Sequence, residues 1–404
     1  MKLLSVEDAR AAMLADADLL GTEMVDLLQA TGRVLAEDVI AVRDQPPFDA
    51  SAMDGWAVRS TDLPAPHGLR IVGEAAAGKA LTISVGPNEA ARISTGAPVP
   101  VGADRIVIQE EAKREGETVR IEGLGGDWIR PRGGDFRAGE VLLRKGLRID
   151  PWQLAMAGAA GRAGLSVARR PKVAVIASGD ELARAGSEAA ADAIYDSAGP
   201  AIAALAAAWG AEAHRPDALG DDEDDVTERL RSIEADLLVT IGGASVGDHD
   251  VLRAAAGRLG LEMRVESVRV RPGKPTWFGQ FADGRLLLGL PGNPASSLVC
   301  AELFLRPLMS KLQGGSAEFR THPVRLATAL GPAGPREHWM RARLRWTDDG
   351  VEATPFTKQD SSLVTVFAGS DCLIRRRAGE PASEAGAVAQ AIILDRFIAS
   401  NGFN

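Results

Sequence analysis

The pattern of apolar and polar positions predicts helices at two separated places in the chain. Near the N-terminus apolar residues recur at helical spacing, and Ser5 is placed to cap a helix that begins at Val6. A second helical pattern runs over residues 25–35. A further helix begins at Pro151 and is expected to rejoin the first region. The segment between these helices is therefore predicted to be an insertion.

The pattern changes to short strands in that insertion and again after residue 170. Apolar runs such as RIVIQ and TVRIEG lie between Gly, Pro and Asp turns, which predicts a small β domain. Later, KVAVIAS and DLLVT alternate with helices of about 10–15 residues, which is typical of a mostly parallel α/β sheet. Short strands return in RARLRW and DCLIRR. The predicted fold is multidomain, α/β and β: a helical connector (1–42 with 140–169), an inserted β domain (43–139), an α/β domain (170–314) and a C-terminal β domain (320–404).

Composition and charge restrict the classes of function. The 404 residues are 46% hydrophobic and 25% charged, as in an ordinary globular protein. The net charge of −9 argues against a general nucleic-acid binder, although a pocket can still be locally positive. Acidic residues interrupt the N-terminal apolar pattern, and no apolar run approaches about 20 residues. We therefore expect a cytoplasmic protein with no membrane span.

The residue types in the sequence favour a metal site with oxygen ligands rather than sulfur or nitrogen ligands. The two cysteines are not in a C-x-x-C pair, and the five histidines are scattered. Several carboxylates, however, follow strand ends or open helices: Glu181, Asp221, Asp248 and Asp250. Taken singly, Asp221 and the Asp196–Ser197 pair are expected helix N-caps, and Glu181 is a surface acid. Taken together, such acids can converge on a divalent cation, and Mg²⁺ bridging carboxylates and substrate phosphates fits them.

Glycine- and proline-rich turns mark candidate anion sites. Gly242, Gly243 and Ser245 follow the DLLVT strand, where glycines allow backbone N–H groups to approach an anion; an ordinary turn is the alternative. In RPGKP a stiff turn presents Lys274, either as a charge for an oxyanion or as a plain surface lysine. GLPGNPAS, with Pro291 and Pro294, leads into a helix whose start suits anion binding or simple helix initiation.

The inserted β domain contains three further dense segments. Asp54 lies in PPFDASAMDGWAV, Thr95 in STGAPVP and Asp135 in IRPRGGD. Each segment places a polar side chain in a loop that Pro stiffens or Gly loosens. None of the three is diagnostic by itself.

Taken in order, these segments resemble the molybdopterin molybdenumtransferase family, which includes the molybdenum-insertion domain of gephyrin-like proteins. The matching stretches run from residue 46 to 297 and are PPFDASAMDGWAV, STGAPVP, GADRIVIQEE, IRPRGGDFRAGE, ASGDEL, GGASVGDHD, RPGKP and GLPGNPAS. A weaker segment, QDSSLVT near residue 359, extends the match. Single segments are moderately specific, whereas eight in register are highly specific.

The resemblance implies a fold, an assembly and a reaction. It implies a helical connector that also dimerises, an inserted β domain, a molybdopterin-binding α/β domain and a C-terminal β domain. Family members are elongated homodimers whose cleft joins the α/β domain of one subunit to the inserted domain of the other. In the implied reaction, adenylated molybdopterin and molybdate give molybdenum cofactor, AMP and water, with Mg²⁺ or another divalent cation. A transient contact with the molybdopterin adenylyltransferase is also implied.

The resemblance assigns roles to individual positions. It implies catalytic roles for Asp54, Thr95, Asp135, Glu181, Asp221, Asp250 and Lys274. It implies substrate binding by Gly242, Gly243, Ser245, Asp248, Pro291, Pro294, Arg341 and Ser362. The implied metal ligands are Glu181, Asp221 and Asp250, and Lys274 is expected to attract molybdate or the pterin phosphate.

Three positions depart from the family pattern. Ala198 stands where the family usually has Asn, and it has neither the donor nor the acceptor of an amide. Arg271 replaces a lysine before PGKP, and Ser267 replaces a basic residue of some members. These departures leave open a paralogue that inserts tungstate.

Other functions remain as alternatives. A non-catalytic molybdopterin-binding scaffold would be consistent with Ala198, but the retained acids favour catalysis. The adenylyltransferase itself would lack the flanking β domains. A protein of the competence-damage type would lack PPFDASAMDG and STGAPVP.

Overall fold

The computed structural model describes residues 3–220, 222–243, 251–318, 320–348 and 350–394. The chain divides into two compact units. The first unit comprises Met1–Glu23, Gly32–Ala36 and Val167–Asn404, and the second comprises Met24–Thr31 and Glu37–Ser166.

The second unit is built on a six-stranded sheet, the inserted sheet. In spatial order its strands are Arg105–Ile108, Gly55–Val58, Glu89–Ile93, Ala65–Ala75, Thr118–Ile121 and Ala112–Glu115. Neighbours are antiparallel except for Ala65–Ala75 and Glu89–Ile93, which run parallel. Trp56 and Val58 pack into one apolar cluster and Ala57 into another, so the strand that contains them is buried on both faces.

Shorter elements complete the second unit. Two antiparallel pairs lie outside the inserted sheet: Val39–Ile40 with Val141–Leu143, and Ala50–Ser51 with Ile129–Arg130. The 3₁₀ helices are Leu27–Gln29, Ser60–Asp62 and Gln109–Glu111. Helix Pro151–Ala159 begins at the predicted proline, and Asp150 and Gln153 form a capping box at its start.

The predicted helix over residues 25–35 is wrong. The segment instead holds the end of strand Thr22–Asp26 and the 3₁₀ helix Leu27–Gln29. After Leu28 the next large apolar residue is Val34, so the stripe lacks the turn that would continue it. Gly32 falls in that gap and further disfavours a helix.

The first unit contains an α/β sheet of six strands. In spatial order they are Glu212–His214, Lys172–Ala177, Leu237–Ile241, Leu286–Leu290, Trp277–Gln280 and Glu262–Val265. The first four run parallel, and each of the last two is antiparallel to its neighbour. The runs KVAVIA and LLVTI are buried almost throughout, as expected for strands covered on both faces.

Helices cover both faces of the α/β sheet. One face packs against Val6–Ala15, Ala198–Ala208 and the long helical segment made of Pro294–Cys300, the π-helical Ala301–Leu305 and Arg306–Leu312. The other face packs against Glu223–Ser232 and Val251–Arg258. Ser5 caps the first helix by accepting a hydrogen bond from Asp8 N at 3.0 Å, as the sequence predicts.

A third sheet, the C-terminal sheet, is barrel-like. Its strands are Val270–Arg271, Glu337–Thr347, Gly350–Pro355, His322–Leu326, Val388–Ile393 and Cys372–Arg376 in spatial order. The last strand pairs back with Glu337–Thr347, which closes five of the strands into a ring. Helix Val364–Ala368 lies in the connection between strands Gly350–Pro355 and Cys372–Arg376.

The remaining strands are short: Leu3–Leu4, Gly164–Ala168, Leu182–Ala183, Ile194–Tyr195 and Ser267–Val268. The predicted multidomain α/β and β class is confirmed. In the part of the chain that the structure describes, no helix has both the length and the apolar character required to cross a membrane.

Candidate active site

A cleft of about 810 Å³ opens at the carboxyl edge of the α/β sheet. The connections from Lys172–Ala177 and to Leu237–Ile241 cover opposite faces of the sheet, so a crevice forms where these two strands end. Six of the residues predicted from the sequence line this cleft: Glu181, Gly242, Gly243, Pro291, Pro294 and Ser362.

Two glycines, Gly242 and Gly243, expose main-chain atoms in the cleft lining, and we call this part of the lining the floor. Gly242 and Gly243 have φ values of +88° and +63°. A Cβ on Gly242 would overlap the carbonyl oxygen of Ser178, and one on Gly243 would overlap the Leu252 side chain. The Gly242 amide already donates to Leu290 O at 3.2 Å. This glycine therefore permits close approach of a ligand rather than supplying a donor.

Glu181 presents an exposed carboxylate to the cleft. Its backbone is fixed, since its carbonyl oxygen accepts a hydrogen bond from Ile194 N at 2.8 Å. The carboxylate itself has no hydrogen-bond partner among the described residues. It is therefore available to a cation or to a donor on the substrate.

Asp196 also lines the cleft, but its carboxylate is engaged. One oxygen accepts a hydrogen bond from Gly199 N at 2.8 Å, and the other pairs with Arg215. The N-cap residue of the helix Ala198–Ala208 is Ser197, whose side chain makes no capping bond, and Asp196 before it accepts the bond from the first turn instead. The buried Ala198 lies beside it in the cleft lining.

The RPGKP turn brings Pro275 into the cleft lining. Pro272 and Gly273 are buried, whereas Lys274 is exposed and is not among the residues that line the cleft. The Lys274 carbonyl oxygen accepts a hydrogen bond from Val268 N at 3.0 Å. The turn is thus anchored through its backbone while the ammonium group stays free to meet an anion.

The loop after strand Gly350–Pro355 is fastened to the helix that starts at Pro294. Asn293 Nδ2 donates to Ser361 Oγ at 3.0 Å, and Ala295 N donates to Ser361 O at 3.0 Å. This attachment places Ser362 in the cleft lining, where its backbone and hydroxyl both donate to Asp360 Oδ1.

Arg341 is a fully buried cation that bonds to this loop but is not among the residues that line the cleft. Its Nη1 donates to Asp360 O at 2.9 Å and its Nε to Gln359 Oε1 at 3.3 Å. Burial lowers the pKa of Arg341; Asp360 raises it, and Arg271 lowers it further. Its Nη2 has no hydrogen-bond partner among the described residues. A buried donor without a partner is unusual, and an anionic ligand is one group that would satisfy it.

In the second unit, Asp54 and Thr95 are brought together. Asp54 Oδ1 accepts a hydrogen bond from Thr95 N at 2.7 Å. This bond, and a second one from the Thr95 side chain, lower the pKa of Asp54. The carboxylate is therefore ionised at neutral pH.

Asp135 lies exposed on a neighbouring loop of the same unit. Its amide donates to Gln45 O at 2.9 Å, and Arg132 N on the same loop donates to Asp49 Oδ1 at 2.8 Å. The segment from 45 to 54 also bonds to the STGAP turn through Ser51 N and Ala97 O. The three predicted segments of the inserted domain thus form one cluster of loops.

Four predicted site residues lie outside the described residues: Asp221, Ser245, Asp248 and Asp250. Where the structure describes the chain, no three side chains of His, Cys, Asp or Glu are grouped closely enough to hold a metal ion. The predicted metal ligands therefore reduce, within that part of the chain, to Glu181.

Some cleft residues were not predicted. Ser178, Tyr195 and Asn293 line the cleft. Ser178 lies within ASGDEL and Asn293 within GLPGNP, whereas Tyr195 directly precedes Asp196, so these sequence positions were the available signal. Gln359 and Ser361, which hold Arg341 and the helix start, lie within the weak QDSSLVT segment.

Comparison with known proteins identifies the family. Family models match residues 4–161 ("MoeA N-terminal region (domain I and II)"), 174–311 ("Probable molybdopterin binding domain") and 323–394 ("MoeA C-terminal region (domain IV)"). A molybdopterin molybdenumtransferase from Staphylococcus epidermidis is 32% identical over 389 residues, which cover 94% of this chain and 92% of the relative. The chain belongs to the molybdopterin molybdenumtransferase family.

Other relatives agree. The molybdopterin molybdenumtransferase of a Nostoc species is 37% identical over 81% of this chain and 78% of its own length. Two crystal structures of a molybdopterin biosynthesis MoeA protein from Pyrococcus horikoshii have TM-scores of 0.82 and 0.83 at 29% and 25% identity. They cover 97% of this chain and 99% and 100% of their own chains. As a molybdopterin molybdenumtransferase family member, the chain is a transferase that acts in molybdenum cofactor biosynthesis, where it transfers molybdenum.

Proposed function

We propose that this transferase uses molybdate and adenylated molybdopterin and releases molybdenum cofactor, AMP and water. The observation that carries the proposal is the cleft at the carboxyl edge of the α/β sheet, whose lining brings together Glu181, Gly242, Gly243, Pro291, Pro294 and Ser362. Arg341 is buried behind this lining, and its Nη2 lacks a partner among the described residues. A small oxyanion would supply the missing acceptor.

Molybdate and the activated pterin are both anions, so the site must offset their mutual repulsion. Arg341 supplies a fixed, desolvated charge, and Lys274 supplies a mobile, exposed one. Ser362 adds a hydroxyl at the cleft wall. We assign the oxyanion to these three residues and the pterin phosphate to the neighbouring Gly242–Gly243 floor, with Pro291 and Pro294 shaping the loop beside it.

The fit of a divalent cation rests on Glu181. Its carboxylate is exposed in the cleft and lacks a hydrogen-bond partner among the described residues, which suits a hard cation. The proposed site also requires Asp221 and Asp250, which lie outside the described residues. When bound there, Mg²⁺ would neutralise phosphate charge on the adenylate. Asp196 is unsuited to be a ligand, because Arg215 and the helix start already engage it.

We further propose that two copies of the chain assemble, so that Asp54, Thr95 and Asp135 of one copy complete the cleft of the other. The second unit exposes large apolar side chains around helix Pro151–Ala159: Leu28 is 88% exposed, Trp152 84% and Met24 70%. An apolar patch of this kind is typical of a protein–protein interface. Apolar side chains at such a patch are best explained by a second copy that covers them.

The proposed reaction is tested by molybdate-dependent AMP release from adenylated molybdopterin with Mg²⁺ present. We expect the wild type to release AMP and Glu181→Gln to lose at least 100-fold in rate, because the variant removes a cation ligand. Glu188→Gln, which neutralises an exposed acid in the neighbouring loop, is the matched control and should keep its rate. Wild type that binds the adenylate but releases no AMP with either molybdate or tungstate would overturn the proposal.

A further inference from the structure

The RPGKP turn contacts two buried side chains, Thr276 and Cys300, that have no role in the proposed reaction. Thr276 and Cys300 are both fully buried. Cys300 belongs to the helix that starts at the cleft with Pro294, and Thr276 follows the turn directly. They therefore connect the last residue of the helix Pro294–Cys300 to the segment that presents Lys274.

The turn approaches Cys300 through a glycine. Gly273 has φ of +117°, and a Cβ at this position would overlap the Cys300 sulfur. The sulfur lies 3.9 Å from both Pro272 O and Gly273 O. The backbone of the turn thus rests directly on the thiol, which fixes its distance from the helix.

The Thr276 hydroxyl completes the contact. It donates to Gly273 O at 2.8 Å and lies 3.2 Å from the Cys300 sulfur. The hydroxyl proton is shared between the Gly273 carbonyl oxygen and the Cys300 sulfur, and the thiol proton is directed to the Pro272 and Gly273 carbonyl oxygens. Burial raises the pKa of Cys300 to about 12, which keeps the thiol protonated and able to donate. Main-chain bonds from Thr276 N to Gly273 O at 3.1 Å and from Val268 N to Lys274 O at 3.0 Å close the same turn.

We infer that Thr276 and Cys300 are positioning residues, which hold the turn so that Lys274 and Pro275 face the oxyanion. This inference rests on the proposed function for its kinetic consequence. Neither side chain reaches the cleft lining, so both act through the backbone of the turn. A displacement of about 1 Å at a group that orients a reactant is enough to slow a reaction strongly.

The test compares Thr276→Val, which keeps the shape and removes the hydroxyl, with Thr276→Ser, which keeps the hydroxyl. Two readouts are needed: hydrogen exchange at the amides of Val268 and Thr276, and the steady-state kinetics of molybdate use. For Thr276→Val we expect exchange at least tenfold faster and a molybdate KM about tenfold higher, with the affinity for adenylated molybdopterin within twofold of wild type. Thr276→Ser should stay within threefold of wild type in both readouts.

A second pair keeps the inference falsifiable if Thr276→Val does not fold. Cys300→Ser retains a donor of similar shape, and Cys300→Ala removes it. We therefore expect Cys300→Ala to behave like Thr276→Val in both readouts and Cys300→Ser to behave like Thr276→Ser. Unchanged exchange in both Thr276→Val and Cys300→Ala would overturn the inference, as would equal losses for molybdate and for the adenylate. If the wild type shows no molybdate-dependent turnover, the proposed function fails instead, and the exchange readout alone decides whether these residues hold the turn.

Discussion

At the scale of single residues, Arg341 is completely buried and one of its donors has no partner among the described residues. A buried donor without a partner lowers the free energy of unfolding unless a bound ligand accepts a hydrogen bond from it. The neighbouring Arg271 adds repulsion, because it lowers the pKa of Arg341 further. A planar fork with one free nitrogen also discriminates between anions by shape, which a lysine cannot do.

Arg341→Lys should therefore raise the molybdate KM at least tenfold, while the affinity for adenylated molybdopterin changes by less than twofold. The charge is kept, but the ammonium group cannot replace three nitrogen donors in one plane. Arg345→Lys is the control, since Arg345 lies exposed on the same strand, where it pairs with Glu352. Equal losses for both substrates would show that Arg341 has only a structural role.

A second residue-scale prediction concerns acid stability. Arg169 donates to Asp236 through two bonds of 2.9 Å, and Lys172 N donates at 2.7 Å. Burial alone would raise the pKa of Asp236, but the bonds from Arg169 and Lys172 outweigh it and the pKa is lowered. A carboxyl with a lowered folded-state pKa stabilises the fold above its unfolded pKa of about 3.9, and this contribution is lost as the pH falls through the folded value.

Asp236→Asn should thus lower Tm at pH 7 by roughly 1–2 °C, a shift expected for about 1 kcal/mol in a chain of 404 residues. The difference from wild type should shrink below about pH 4, as the wild-type carboxyl becomes protonated. Thermal unfolding between pH 3 and pH 7 measures both effects. A Tm difference that stays constant over this range would show that the ionised carboxylate is not the stabilising species.

At the scale of elements, the glycine turn after Leu237–Ile241 is fixed by close backbone contact. Gly242→Ala should abolish at least 99% of activity and lower Tm, because its Cβ would overlap Ser178 O. Gly260→Ala is a matched control: its φ is +78°, close to the +88° of Gly242, but open space surrounds its Cβ position. Both variants carry the cost of positive φ, about 1–2 kcal/mol, so only the overlap separates them. Activity assays and thermal unfolding that gave equal effects would contradict the close-contact explanation.

Elements governed by local signals could be predicted from the sequence. Helix starts at Ser5 and Asp150 follow capping rules, and each of these side chains accepts a bond from the helix it begins. The N-cap expected at Asp221 is wrong by one residue, because it is Asp222 that accepts the bond from Asp225 N. The cleft could also be anticipated, because the ends of parallel strands meet at one edge. The helix predicted over residues 25–35 is wrong because the apolar spacing is interrupted between Leu28 and Val34. The hydrogen bond from Arg341 to Gln359 joins residues 18 positions apart in the chain. Local sequence patterns do not predict a contact of this kind.

At the scale of the whole molecule, the apolar patch around helix Pro151–Ala159 determines the expected assembly. Trp152→Glu should shift the protein from dimer to monomer at micromolar concentration, because a charge at the centre of an apolar interface is costly to bury. Light scattering coupled to size exclusion measures the change. Trp346→Glu is the control, since Trp346 is 67% exposed on the C-terminal sheet, outside the patch. A wild-type protein that is monomeric at all concentrations would contradict the proposed dimer.

The cleft also contains the chain's single tyrosine. Tyr195 is 54% exposed, and its ring lies in the lining while its hydroxyl donates to Ser187 O at 3.3 Å. Protein grown with fluorotyrosine would therefore give one ¹⁹F resonance, and that resonance would come from the cleft. Each substrate could then be titrated against a single spectroscopic signal, without any substitution, and binding could be separated from turnover in the unaltered enzyme.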